Sequence, residues 1–240
     1  YTTAYQTEKD SFYVTVGLWQ AGQNRIFIDC NVQSPADMLS PGRIGMTAIL
    51  PVRFTAMKWY GKGPLETYPD RQCGGRMGVY SEDVRNQPFY LRPQEYGLHM
   101  ESRSMRLTDP DRADFVRFEA ACPMAMSAVP YSDLQLWNAR HPLELPAPEA
   151  LYVHLDYAHR GLGNSSCGPD VLPTYRIDDR PCHFGFALEA GLGEREDNPF
   201  GPIPEEIPAY HPWKAVGEQD RTPSYRDPSD PDQRSNAGMV

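Results

Sequence analysis

The sequence is short of basic residues and has no long apolar run. Its 240 residues include 23 Lys and Arg against 32 Asp and Glu, which gives a formal net charge of −9. Nucleic-acid binding depends on Lys and Arg clustered at the phosphates, so this balance argues against a nucleic-acid partner. Because no run of about 18 apolar residues occurs, no membrane partner is expected either. Neutral ligands such as sugars are not excluded by this charge balance.

Cysteine is also scarce, and the cysteine residues lie far apart in the sequence. The five are Cys30, Cys73, Cys122, Cys167 and Cys182, with no C-x-x-C pair among them. An odd number at these spacings does not fit a disulfide framework or a zinc site, so we expect reduced thiols and no metal or cofactor in this segment. The N-terminus lacks the charged-then-apolar order of a signal peptide, which together with the thiols predicts a cytoplasmic protein.

Instead of long helical patterns, the sequence has alternating apolar residues. Residues 12–32 alternate on both sides of a Gly-Gln-Asn turn and predict a β-hairpin. Further strands are predicted at 44–52, 54–64, 88–93, 105–109, 113–122, 151–157 and 183–189. One short helix is predicted after Ser132, which can cap its first turn, and before Pro142. Turns every ten or so residues then favour an antiparallel all-β sandwich.

The composition changes near residue 191. Residues 191–240 hold eight of the 24 prolines and many acids, with almost no alternating apolar pattern. Such a segment cannot bury enough surface to offset the entropy lost on ordering. We therefore predict two regions, a folded domain over 1–190 and an extended or disordered tail over 191–240.

Residues 59–71, WYGKGPLETYPDR, are the first candidate site. Their turns bring aromatic rings such as that of Trp59 near the polar groups of Glu66, and sugars bind to aromatic faces combined with planar hydrogen-bonding groups. The alternative, which the residues alone favour, is a tightly packed corner of the sandwich held by an Asp70–Arg71 pair.

A second candidate is the pattern His154-x-Asp156-x-x-His159, which contains possible metal ligands. In a regular strand, residues 154 and 156 share a face while residue 159 points to the opposite face. No metal site is therefore predicted here. The chain also has no G-x-S-x-G, P-loop or G-x-G-x-x-G motif that would indicate another catalytic class.

Four stretches, in order, carry a resemblance to a known family. They are WYGKGPLETYPDR (59–71), FYLRPQEYG (89–97), ARHPLELP (139–146) and LYVHLDYAHRGLGNSSCGPDVLPTYRI (151–177). Together they resemble the C-terminal domain of the large β-galactosidases of glycoside hydrolase family 2, over roughly residues 10–190. The chain departs from that pattern at Leu65, Thr67 and Tyr96, which leaves polar contacts at these loops in doubt.

The resemblance implies an antiparallel supersandwich of the galactose-mutarotase-like type, shortened at its N-terminal side. It implies a β-galactosidase that hydrolyses terminal β-galactosides such as lactose by the retaining route. The catalytic glutamates of the family lie on a preceding TIM-barrel domain or large subunit, so this segment should carry no catalytic residue and be inactive alone. Divalent and sodium ions are expected on that missing domain, and a homo- or hetero-oligomer is expected.

The resemblance also implies substrate-binding residues. The turn around Cys167 resembles the loop that carries a tryptophan platform for the galactoside in well-known members. The substrate-binding residues predicted from the motifs are Cys167, Ser166, Asn164, Trp59 and Glu66. A thiol cannot stack on a sugar ring as an indole can, so Cys167 is about equally well explained as a small buried residue.

Two other classes of function stay open. The chain could be a free-standing carbohydrate-binding domain that uses the loops at 59–71 and 161–169. By analogy of fold alone, it could be an aldose epimerase, in which His154 and His159 would be the candidates for acid and base.

Overall fold

The computed structural model describes residues 2–6, 11–20, 23–33, 40–88, 90–91, 95–163, 168–178 and 181–193. Within these ranges the chain forms ten strands and one α-helix. They are β1 (Thr2–Gln6), β2 (Ser11–Gln20), β3 (Arg25–Gln33), β4 (Arg43–Pro51), β5 (Ala56–Gly63), β6 (Arg76–Asp83), β7 (His99–Thr108), β8 (Phe115–Val129), α1 (Asp133–Asn138), β9 (Ala150–His159) and β10 (Cys182–Gly191). Single 3-10 turns lie at Val84–Asn86, Pro142–Glu144 and Pro173–Tyr175. The predicted all-β class with one short helix is confirmed.

The strands form one branched antiparallel sheet. Its main order is β1-β2-β3-β10-β8-β7-β5-β6, and β9 also pairs with β8 and carries β4 on its other side. The branch lies in β8, whose 15 residues serve two sets of neighbours. The first part of β8 pairs with β10, while Ala125 to Val129 pair with β9. The β4–β9 pair is therefore a second arm of the sheet.

The two arms face each other across the main core. Cys30 of β3 donates to the sulfur of Met46 of β4 at 3.4 Å, and the ring of Tyr157 of β9 stacks on Phe184 of β10 with centroids 5.4 Å apart. Between the arms lie buried side chains from both, among them Phe118, Met126 and Leu155. Alternation explains this layer, because every second residue of each strand turns inward.

The predicted hairpin at 12–32 is confirmed by β2 and β3, which pair from Tyr13↔Gln33 to Gln20↔Ile26. The strand predicted at 88–93 is wrong, since Tyr90 and Leu91 lie in irregular backbone between prolines. The strand predicted at 113–122 continues to Val129, although Pro123 interrupts the pattern. The β7–β8 register shifts in this region, which lets the exposed proline pass without a ladder hydrogen bond.

Helix α1 begins where the sequence predicted. The Ser132 hydroxyl accepts from the Gln135 backbone N–H at 3.2 Å, and the Gln135 side chain accepts from the Ser132 backbone N–H at 2.9 Å. This reciprocal pair is a capping box, which satisfies backbone donors that a helix start would otherwise leave open. Leu136 then fixes the helix to Tyr96 and Val129.

In the described part of the chain, none of the helices has the length and apolarity needed to cross a bilayer. The predicted tail, from residue 194 onward, lies outside the described residues, and the boundary at 190 stays a prediction.

The core between the arms should dominate the stability of the chain. Phe118 is fully buried and packs on Phe186, so Phe118→Ala should lower the free energy of unfolding by about 3–5 kcal/mol. Urea unfolding measures this loss. Leu18→Ala, at a side chain that is 57% exposed, is the control and should change it by less than about 1 kcal/mol. Equal effects of the two changes would mean that the inter-arm layer is not the main core.

Candidate functional site

The segment that follows β5 forms a tight corner. Tyr68 and Arg71 exchange backbone hydrogen bonds of 3.2 and 2.8 Å, and the Thr67 N–H donates to the Leu98 carbonyl at 2.7 Å. The Tyr68 ring is completely buried. The turn residues Pro69 and Asp70 thus sit in a fixed backbone frame attached to the segment leading into β7.

Glu66 lies inside this corner with its carboxylate fully engaged. It forms an ion pair with Arg71, accepts from the Tyr90 hydroxyl at 2.8 Å, and accepts from the Gly97 N–H at 2.8 Å. Burial and the nearby Glu66 carboxylate raise the pKa of Tyr90. Glu66 therefore joins three segments of chain, and these contacts favour a structural role for a residue predicted to bind substrate.

Trp59 lies in β5, the strand that leads into the corner, and is 1% exposed. Its ring stacks on His99 with centroids 3.8 Å apart, and its indole N–H donates to the Lys62 carbonyl at 3.0 Å. The burial of both faces favours the packed-corner interpretation of this tryptophan over a sugar platform. Its assignment to substrate binding stays a prediction.

Asp70 connects the corner to the end of β9. Its two carboxylate oxygens accept from the backbone N–H groups of Leu162 and Gly163 at 3.0 and 2.7 Å. The expected Asp70–Arg71 pair is thus wrong, because Asp70 binds this backbone and Arg71 binds Glu66 instead.

The backbone at 161–163 fits only glycine at two points. A Cβ on Gly161 would lie 2.8 Å from the Asp70 carboxyl carbon, and Gly163 has φ of +58° with Val171 backbone nitrogen 2.8 Å from such an atom. Gly161 N–H also donates to the Tyr175 carbonyl at 2.9 Å. The stretch before residue 164 is consequently held on two sides. Asn164, Ser166 and Cys167 themselves lie outside the described residues.

Next to the corner is a group of charged side chains from four segments, here called the ion cluster. Its members are Arg43, Glu95, Asp133, His154, Asp156 and His159. Arg43 is central, forming an ion pair with Glu95 and lying 3.8 and 3.7 Å from Asp133 and Asp156. His159 Nε2 lies 3.6 Å from Glu95, and His154 Nε2 lies 3.7 Å from Asp133. Glu95 also accepts from the Tyr68 hydroxyl at 3.4 Å, which joins the cluster to the corner.

Burial and charge act against each other within the cluster. For Asp156, burial raises the pKa to about 7, which outweighs the opposing effect of Arg43. For Glu95, burial disfavours the charged form, but His159 and Arg43 together lower its pKa. Burial and the Arg43 charge lower the pKa of His154 to about 4, so this imidazole is neutral at pH 7. His159 differs, since Glu95 raises its pKa despite burial.

The position of His159 differs from the sequence prediction. The β4–β9 register runs through Gly45↔Asp156 and then Ile44↔Ala158, so Tyr157 is an extra residue in β9. Such a β-bulge reverses the alternation, and His159 comes to the same face as Asp156 and His154. The expectation that His159 faces the other way was wrong for this reason.

Sequence reasoning missed the centre of this cluster, Arg43. Nothing near Arg43 resembles a motif, and its partners lie more than 50 residues away in the chain. Glu95 was visible within the P-Q-E stretch, but only as one acid among many. In the described residues, no group of three or more His, Cys, Asp and Glu is arranged to hold a metal ion.

Fold and site together define a class of protein: an antiparallel β-sandwich domain whose loops are held at one corner by partly buried carboxylates. The comparisons with known proteins then give its family. The model of the β-galactosidase small-chain family matches residues 1–188, and the chain belongs to that family.

Curated relatives of the chain agree with this family, since they are β-galactosidases. The chain is 31% identical to the β-galactosidase of Staphylococcus xylosus over 64% of the chain's own length. It is 33% identical to the β-galactosidase of Arthrobacter sp. (strain B7) over 66% of the chain. It is 35% identical to β-galactosidase BgaC of Bifidobacterium adolescentis over 70%. In each case the matched part is 16% of the relative, so the chain spans a small share of these enzymes.

The raised pKa of Asp156 has a consequence for stability. Its usual value is 3.8, so the stabilisation from protonated Asp156 is present at low pH and lost as the pH rises through about 7. The lowered pKa of His154 acts in the opposite direction between about 4 and 6.5. Asp156→Asn removes the Asp156 contribution and also takes away one of the charges that raise the pKa of His159, which changes the pH dependence in the same direction.

We expect the Asp156→Asn chain to gain stability relative to the unmodified chain as the pH rises, by roughly 1.4 kcal/mol for each unit of pKa shift. Chemical denaturation at about pH 4.5 and pH 7.5 checks this, with exposed Asp111→Asn as the control. A stability difference that is the same at both pH values would show that Asp156 ionises normally in the folded chain.

Proposed function

We propose that this chain is the non-catalytic small-chain part of a retaining β-galactosidase that hydrolyses terminal β-galactosides such as lactose. The small-chain family supports association with a larger catalytic part. In the proposed assembly, that part supplies the nucleophile and the acid/base carboxylate, which in retaining enzymes lie about 5 Å apart on either side of the bond cleaved. The chain would contribute a wall of the substrate site and contacts to the catalytic part.

The observation that carries this proposal is the anchoring of residues 161–163 by Asp70. It fixes the backbone that leads directly into Asn164, Ser166 and Cys167, the residues we propose to contact the galactoside. A wall that holds substrate in one orientation lowers the entropy cost of reaching the transition state. Trp59 and Glu66 would then stabilise the corner that holds the wall, through their packing and hydrogen bonds.

The state of the carboxylates supports a non-catalytic role. Glu66 is engaged by Arg71, Tyr90 and Gly97, and Glu95 is engaged by Arg43 and His159. A glycosidase nucleophile must be free to attack the anomeric carbon, whereas these two carboxylates hold the fold together.

No particular observation favours the two alternatives. An epimerase would need His154 and His159 open to a sugar, yet their side chains are 5% and 6% exposed and face internal carboxylates. A free-standing sugar-binding domain would need an exposed platform at Trp59. The described cysteines, Cys30, Cys73, Cys122 and Cys182, are free thiols, which agrees with the proposed cytoplasmic setting.

The first test compares the chain alone with the chain co-expressed with a catalytic part. We expect hydrolysis of a nitrophenyl β-galactoside only from the pair, because the chain supplies no nucleophile. Loss of activity on mutating the catalytic glutamates of the large part is the control. Hydrolysis at enzymatic rates by the purified chain alone would overturn the proposal.

A second test addresses the wall. In the complete enzyme, Asp70→Asn leaves one acceptor for two backbone donors and should lower kcat/KM about tenfold, with a loss of about 1–3 kcal/mol in stability. Asp111→Asn, an exposed carboxylate in the β7–β8 turn, is the matched control and should leave kcat/KM unchanged. If both variants retain full kcat/KM, residues 161–163 do not position the substrate wall.

A further inference from the structure

Helix α1 and the turn after it expose large apolar side chains. Leu134 is 66% exposed, Trp137 is 60% exposed and Leu143 is 98% exposed, all within ten residues. Scattered apolar residues are common on surfaces, but a group containing tryptophan is typical of interface centres. Arg140, His141 and Glu144 are exposed beside them and would form a polar rim.

Strand β4 extends this apolar group across the sheet. Thr47 and Ile49 alternate outward and pair with His154 and Tyr152 of β9. Tyr152 packs against the cluster that contains Leu136 of α1, and its cross-strand partner Ile49 is 66% exposed. We call Ile49, Leu134, Trp137 and Leu143 the α1 surface.

The α1 surface is rigid, which lowers the cost of binding to it. The capping box fixes the start of the helix, Leu136 is buried beneath it, and Asp133 contacts Arg43 and His154. Among the described strands, β4 pairs with β9 on one side only, and an unpaired strand edge of this kind can accept hydrogen bonds from a partner.

The position of this surface indicates its occupant. Asp133 at the start of α1 contacts Arg43, Arg43 pairs with Glu95, and Glu95 contacts Tyr68 of the corner. This chain of contacts links the start of α1 to the corner, and Asp70 of the corner holds the backbone that leads into the proposed substrate wall. A partner that encloses a galactoside against that wall would extend over α1, and the matched relatives contain a further 84% of chain to supply such a partner, since 16% is matched.

On these grounds, and resting on the proposed function, we infer that the α1 surface is where the catalytic part of the β-galactosidase docks. Its aliphatic and aromatic character calls for an apolar patch on the catalytic part, with Trp137 at the centre of the contact. A strongly charged partner is not expected, because the exposed charges here are of both signs.

The experiment uses the complete enzyme with the two parts co-expressed as separate chains. Leu134→Ser with Leu143→Ser removes the two exposed leucines of the α1 surface. Leu18→Ser with Leu192→Ser is a matched control, since both are exposed leucines outside this surface. The measured quantity is the protein concentration at which half of the galactosidase activity is lost on dilution.

We expect this concentration to rise at least tenfold for the α1 pair and less than twofold for the control pair. A rise below twofold for the α1 pair, or a rise of equal size in both pairs, would show that the catalytic part docks elsewhere. Those results leave the proposed function intact, because the unmodified pair would still be active. An unmodified pair without activity would instead overturn the proposed function.

Discussion

Strand β9 carries one residue more than its partner β4 at Tyr157, and this bulge sets the positions of the charged side chains on that arm. Before the bulge, His154 and Asp156 face away from the core, while Leu155 faces into it. Tyr157 turns inward to stack on Phe184. His159 then falls on the outer face, where it meets Glu95. Without the extra residue, an imidazole would point into an aliphatic core and the ion cluster would lose a cation.

Charged side chains brought together in this way are costly to bury. The attraction between the cations and the carboxylates of the ion cluster offsets that cost. Arg43 is close to three carboxylates, and these raise its pKa. The pKa of Asp156 is raised to about 7, so this carboxyl is partly protonated near neutral pH and the excess of negative charge is smaller. A buried network of this kind adds little to stability compared with apolar packing, but it penalises every arrangement that separates its members. The cluster therefore specifies how β4, β9, α1 and the segment before β7 fit together.

The sequence was a good guide where one segment contains its own explanation. Alternation predicted β2 and β3, and Ser132 predicted the start of α1, because those interactions are local. It was a poor guide where a side chain finds its partner far along the chain. The pairing of Asp70 with residues 162 and 163 spans more than 90 positions, and neighbouring Arg71 was the simpler partner to expect. The family motifs located the corner without indicating what each residue binds.

The same contrast explains how a domain whose corner carboxylates serve the fold can matter to the proposed hydrolase. Glu66, Asp70 and Glu95 each bind groups from distant segments, so they convert three loops into one rigid surface. In the proposed enzyme, with proton transfer on the catalytic part, rigidity is what this domain would contribute, since displacing a positioning group by about 1 Å can reduce a rate a hundredfold. In the proposed assembly, the catalytic and the supporting acids lie on different parts of the enzyme, so each set can be optimised independently.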